Sequence, residues 1–184
     1  SYSYISADLS TAYNNMDWPR SVGDTTNRKL DYFYRNFVYL RPANLFVVYD
    51  RVKAFASSNA NGAYKKRLRW HFPTQPLVSG SSIRVDNSDA RLWLQTLLPA
   101  NPTITTSSLV SNPDNTWGAW LNYLFVSKSY RAEVSNAANP LQQPFLTVMQ
   151  AGTTSLSEPT SALFYTTDSL MIGTTIEAAN GNEY

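Results

Sequence analysis

The stretch RKLDYFYRNFVYLRPANLFVVYDRVKAFASSNANGAYKKRLRWHF, residues 28–72, decides the fold. It reads as three long strands over residues 29–41, 45–54 and 64–72. A tight Pro42-Ala43-Asn44 turn joins the first two, and a loop of Ser, Asn, Ala and Gly over 57–62 leads to the third. Aromatic and β-branched residues fill all three, because such side chains fit the pleated, half-buried surface of a strand. Alternation puts Leu30, Tyr32, Tyr34, Asn36, Val38 and Leu40 on one face of the first strand, and Phe33, Arg35, Phe37 and Tyr39 on the other. In the second strand Phe46, Val48, Asp50 and Val52 oppose Leu45, Val47, Tyr49 and Arg51. Both faces are largely apolar, so this hairpin is expected to be covered on both sides.

Two charges interrupt the hairpin. A carboxylate on the face of Phe46, Val48 and Val52 is costly unless paired. Asp50 is therefore expected to pair with Arg35 across the hairpin, or with Arg28, as a structural ion pair rather than a functional acid. The third strand differs. Leu68, Trp70 and Phe72 point one way while Lys65, Arg67, Arg69 and His71 point the other, which is a half-buried strand with a cationic outer stripe. Pro73 and Pro76 stop it, and Ser79-Gly80-Ser81 makes the next turn.

Outward from this segment the same rhythm continues. Residues 1–7 alternate as a short strand, and Asp8 is placed to cap one helical turn over Leu9–Tyr13. Hairpins are expected over 82–87 with 90–98, and over 162–166 with 170–177. Single strands are expected over 103–110, 129–135 and 144–151, and 120–126 is an unusually apolar run. No segment keeps a helical period. Strands punctuated by turns are the pattern of an all-β, two-layer antiparallel sandwich with little or no helix. Residues 1–177 are expected to form one domain and 178–184 a polar C-terminal tail. The strand-like beginning at Ser1 reads as a processed product or an excerpt of a longer protein.

Composition narrows the classes. Hydrophobic residues are 43% of 184, enough for a core without disulfides. With no Cys there is neither a disulfide framework nor a thiolate metal site. A net charge of +2 is too small to argue for nucleic acid, and no recognition module accompanies the cationic stripe. No apolar run approaches the roughly 20 residues that span a bilayer. Few charges (15%) with many aromatics (14%) suit extracellular β proteins and extended contact surfaces.

In order along the chain, several pieces together resemble the β-sandwich region of the heparinase II/III-like polysaccharide lyases. They are Tyr4–Tyr13, Arg35-Asn36-Phe37-Val38-Tyr39-Leu40, Val47-Val48-Tyr49-Asp50-Arg51-Val52 and Leu68-Arg69-Trp70-His71-Phe72 followed by Pro76. Leu97-Leu98-Pro99, Tyr130-Arg131-Ala132-Glu133-Val134 and Phe145-Leu146-Thr147-Val148-Met149 complete the set. The resemblance implies a supersandwich-like β-domain. In that family an α/α toroid precedes the sandwich and supplies the Tyr and His that act as acid and base. A His-rich segment adds metal ligands. This sequence has a single His and no H-x-H pair, so the toroid's chemistry and the His-rich segment are missing from it. His71 alone falls at the family's strand-end His near the metal, and one His without partner ligands makes no zinc site.

Lyase chemistry needs a group that neutralises the uronate carboxylate and a base within reach of the adjacent proton. Asp8, Asp50 and Glu133 are dispersed, and the tyrosines lie at strand spacing, where packing with a polar tip is their ordinary role. No phosphate loop, nucleophile elbow or metal-spaced carboxylate cluster appears. No cofactor is expected, and independent catalysis is not. The stripe Lys65, Lys66, Arg67 and Arg69, with Trp70 and His71 beside it, is the candidate for holding an acidic polysaccharide through charge-assisted hydrogen bonds. Aromatic, weakly charged faces and a strand-like start also suit a homo-oligomer or filament built by strand addition. The expected function is a non-catalytic, extracellular or cell-surface module. The alternatives are a self-assembling fibre subunit and a fragment of an active lyase, which would be periplasmic in a bacterium.

Overall fold

A computed structural model describes residues 1–14, 28–56, 64–108, 130–167, 171–179 and 181–184. The apolar run at 120–126 lies outside these residues, as does the loop at 57–62. Twelve strands are described: β1 (Tyr2–Asp8), β2 (Leu30–Leu40), β3 (Leu45–Ala54), β4 (Arg67–Phe72), β5 (Leu77–Ser79) and β6 (Ser82–Asn87). They continue with β7 (Ala90–Leu98), β8 (Thr103–Ser108), β9 (Tyr130–Ser135), β10 (Gln142–Thr153), β11 (Thr160–Tyr165) and β12 (Ile172–Glu177). One helical turn, α1 (Ser10–Asn14), follows β1, and the Asp8 carboxylate accepts the Ser10 backbone N–H at 2.9 Å.

All pairings are antiparallel. A seven-stranded sheet runs β1-β2-β3-β10-β7-β6-β5, a three-stranded sheet runs β4-β9-β8, and β11 pairs with β12. The protein is an all-β sandwich. Alternation explains which side chains meet between its two main sheets. Phe33, Val48, Val52, Phe145, Met149, Leu94, Ile83 and Val85 from the large sheet pack on Leu68, Phe72, Ala132 and Val134 from the small one. The opposite face of the large sheet is also covered: Ala43, Leu45 and Val148 pack on Ile176 and Ala178. The β2–β3 hairpin, apolar on both faces, thus sits within a local third layer supplied by β12. Residues 181–184 turn back along that strand, with Ile176 and Tyr184 exchanging both backbone hydrogen bonds at 2.8 and 3.0 Å.

Three local departures from simple alternation have physical causes. The β2–β3 register shifts between Leu30 and Tyr32. An extra residue at a bulge reverses the facing of what precedes it, so Leu30 joins Phe33 in the core rather than Tyr32 on the outer face. The third strand begins at Arg67, not at residue 64. The Asn139 side chain explains this: its Oδ1 accepts the Lys66 N–H at 3.3 Å and its Nδ2 donates to the Tyr64 carbonyl at 3.3 Å, where a strand ladder would otherwise run. β10 is longer than the expected 144–151, because it lies in the middle of the sheet and is paired on both edges.

Leu94 is 1% exposed at the centre of the main core. Leu94→Ala is expected to lower unfolding stability by about 2–5 kcal/mol. Urea melts that agree with wild type would place the core elsewhere.

Candidate functional site

The three described strands of the small sheet cannot cover the seven of the large one. The inner face of the large sheet therefore runs out beyond the edge of β4, and a cleft of about 410 Å³ opens between that edge and the flank made by β2 and β3. This is within the range of about 300–1,000 Å³ usual for ligand pockets. Its floor is Leu30, Phe33, Val52 and Phe145, and the approach from α1 is Tyr13, whose ring meets Phe33 edge-on at 5.1 Å. Its walls carry Lys29, Arg35, Lys65, Lys66, Arg67 and Arg69, while Asp50 is the single carboxylate among the lining residues. The cleft is apolar below and strongly cationic above.

Arg35 and Asp50 are register partners on β2 and β3. Arg35 Nε and Nη2 donate to Asp50 Oδ1 and Oδ2 at 2.7 and 2.6 Å, a bidentate fork. The Asp50 side chain is 1% exposed while that of Arg35 is 37% exposed. The carboxylate is thus sunk in the sheet and the guanidinium reaches outward into the cleft, its pKa held above the ordinary value by the hydrogen bond to Asp50. Arg28, the other expected partner, instead pairs with Asp31 at 2.8 Å.

The strand-end cations divide into two sets. Arg67 and Arg69 face out and share Glu133 on the neighbouring β9, at 3.3 and 2.9 Å, and Arg131 approaches the same carboxylate at 3.3 Å. Three guanidiniums on one carboxylate leave the sheet face positive. Lys65 is exposed beside them. Lys66, read from the sequence as a member of this stripe, is not on it: the residue is 7% exposed and belongs to the inner side with Leu68. Its ammonium meets the Tyr64 carbonyl at 3.4 Å, and burial pushes its pKa below the ordinary value. The two remaining candidates do not line the cleft. Trp70 is half-buried against the main core, on the opposite face of β4 from Arg67 and Arg69. His71 is exposed and stands across from Arg131, whose positive charge opposes a metal ion there. Among the described residues no three His, Cys, Asp or Glu side chains converge as metal ligands, and no helix is long and apolar enough to cross a membrane.

Lys29, Arg35 and Tyr13 were not foreseen as neighbours of this stripe. Nothing local in the sequence signals it, since their meeting depends on how the small sheet is placed on the large one. Lys66 is different. It is two residues from Leu68, and strict alternation already puts it on the inner face.

No family model matches the chain, and no curated protein matches it in sequence. Solved structures of lyases do match it in fold. Heparan sulfate lyase HepC from Pedobacter heparinus superposes with a TM-score of 0.54 at 13% identity, over 85% of this chain and 23% of the lyase. A mutant of the same enzyme gives 0.51 at 12% identity over the same shares. A heparinase III gene product gives 0.52 at 12% identity, over 83% of this chain and 23% of its own. The chain therefore spans under a quarter of the length of these lyases, and at such identity the likeness is one of fold. The resemblance to the heparinase-type β-domain stands at that level.

The buried half of the ion pair sets the expected mutant behaviour. Arg35→Ala leaves a carboxylate alone in the sheet and is expected to cost about 3–5 kcal/mol. Asp50→Ala leaves a guanidinium that reaches solvent and is expected to cost less, about 1–3 kcal/mol. Equal losses in denaturant titrations of the two variants would contradict this asymmetry.

Proposed function

We propose that this chain is a non-catalytic, extracellular or cell-surface β-sandwich module, structural in role, whose basic cleft holds an acidic polysaccharide. The observation that carries the reading is that six cationic residues line or rim one cleft with a single carboxylate, itself engaged by Arg35. An acidic glycan matches both parts of the cleft. Its carboxylates or sulfates meet the cations at the rim through charge-assisted hydrogen bonds, and the apolar faces of its rings lie on Phe33 and Tyr13. Arg67 and Arg69 keep donors free after Glu133 has taken one from each, because a guanidinium has five N–H groups. The one carboxylate among the lining residues is already hydrogen-bonded twice, so it is a poor base. Retention on heparin and alginate columns is expected, with elution at lower salt for the Arg67→Ala/Arg69→Ala variant. Unchanged elution would remove the rim from the ligand site.

Two further readings each have an observation behind them. A fibre subunit assembled by strand addition is favoured by β1. It forms one edge of the large sheet, exposes Tyr2 (69%) and Ile5 (62%), and carries none of the Pro or Lys residues that blunt an edge. Ordered polymers in negative-stain images would support it, and a discrete monomer at all concentrations would sink it. A fragment of an active lyase is favoured by the small share of the lyases that the chain spans. The mass of the native polypeptide tests that reading, which requires a toroid ahead of Ser1 and places the protein in the periplasm of a bacterium.

A further inference from the structure

Of the cations around the cleft, those on the strands are already engaged. Arg35 holds Asp50, and Arg67 and Arg69 share Glu133. Lys29, Lys65 and Lys66 have no carboxylate partner among the described residues, and of the three only Lys66 is buried. It is 93% buried by its 7% exposure, and it lines the cleft. Its one acceptor is a neutral carbonyl at the long distance of 3.4 Å. A buried ammonium without a counter-charge is strongly disfavoured, so the amine either sheds its proton or gains an anion.

We propose that Lys66 is the anion seat of the cleft: its buried ammonium receives one carboxylate or sulfate group of the bound glycan and so selects among acidic glycans. The ligand's class rests on the reading given above; the seat rests on the burial of Lys66 and its lack of a carboxylate partner among the described residues. The charged and titratable groups that share the cavity with Lys66 are Tyr13 from α1, Lys29, Arg35 and Asp50 from the large sheet, and Tyr64, Lys65, Arg67 and Arg69 from its own segment. Asp50 is matched by Arg35, and burial disfavours the charged form of Lys66. An arriving anion favours that form. Binding is thereby coupled to protonation of Lys66, and affinity falls as pH rises through its lowered pKa while the arginines stay charged. The rim arginines gather the polymer, and Lys66 reads one group of it.

The test uses four probes: inorganic sulfate, acetate, a heparin-derived hexasaccharide and an alginate hexasaccharide. Reductive methylation of the wild-type chain, read residue by residue by mass spectrometry, reports the accessibility of each amine. Protection of Lys66 by one or more probes, with Lys65 still labelled, is the expected result. Protection by the sulfated probes alone assigns a sulfate seat, and protection by acetate or the alginate hexasaccharide assigns a carboxylate seat. Unchanged labelling of Lys66 under all four overturns the proposal. In calorimetry Lys66→Met should weaken hexasaccharide binding tenfold or more while raising Tm without ligand, because an unmatched buried charge is removed. Unchanged affinity also overturns it, and a lowered Tm with unchanged affinity identifies Lys66 as merely structural. If wild type binds neither hexasaccharide, the polysaccharide reading fails by itself, and the seat is then decided by sulfate and acetate alone.

Discussion

The governing constraint is the mismatch between sheets of seven and three strands. A β-sheet with an apolar inner face must bury it, and the area available on β4, β9 and β8 is enough for the middle of the large sheet only. Where cover ends, the sequence changes character on both sides of the gap. The large sheet replaces apolar residues with Arg35 and Asp50, and the edge strand presents Lys65, Arg67 and Arg69. Among the described residues the cleft is thus the place where packing between the two sheets stops, lined by residues that tolerate its stopping.

Electrostatics follows from that geometry. Asp50 lies on the inner face in a row with Arg35 and Phe145, next to the core rather than in it. At this boundary a carboxylate is dry and its partner is half wet, which makes the pair an anchor for β2 against β3 and turns a positive surface toward the cleft. Glu133 has the matching role in the small sheet, where it holds two neighbouring strands' arginines at the rim. Each sheet contributes one acid that organises cations. The cations outnumber the acids, and the excess lies in and around the cavity.

Much of the framework was legible because its causes are local. Alternation in residues 28–72, the Pro42-Ala43-Asn44 turn and the break at Ser79-Gly80-Ser81 place the strands of this segment, except for the late start of the third at Arg67, and the hairpin over 82–98 follows from the polar turn at 87–89. A carboxylate isolated among valines and a phenylalanine announces a partner. What was hidden depends on contacts distant in the chain. The bulge that turns Leu30 inward is a property of the β2–β3 pairing, not of either strand alone. Asn139 interrupts a strand more than seventy residues before it, through two side-chain hydrogen bonds. The candidate site was half legible: the stripe was visible, but its division into engaged arginines and a buried lysine required Glu133 and the second sheet. Trp70 was misassociated with the stripe by proximity in sequence, although its own alternation places it in the core.

The position of β10 has a consequence in time. It is the strand that joins β1-β2-β3 to β7-β6-β5, yet it begins at Gln142, long after β3 has ended at Ala54 and β7 at Leu98. During synthesis the two halves of the large sheet emerge first, each with one interior edge still lacking its neighbour. Closure of so many non-local pairs is entropically slow, on the order of milliseconds to seconds for topologies of this kind. Over that interval β3 and β7 are open strands rich in valine and leucine, and they can pair with other chains as readily as with β10. The most hazardous moment for this protein therefore comes before β10, the last strand of the large sheet to be made, is inserted.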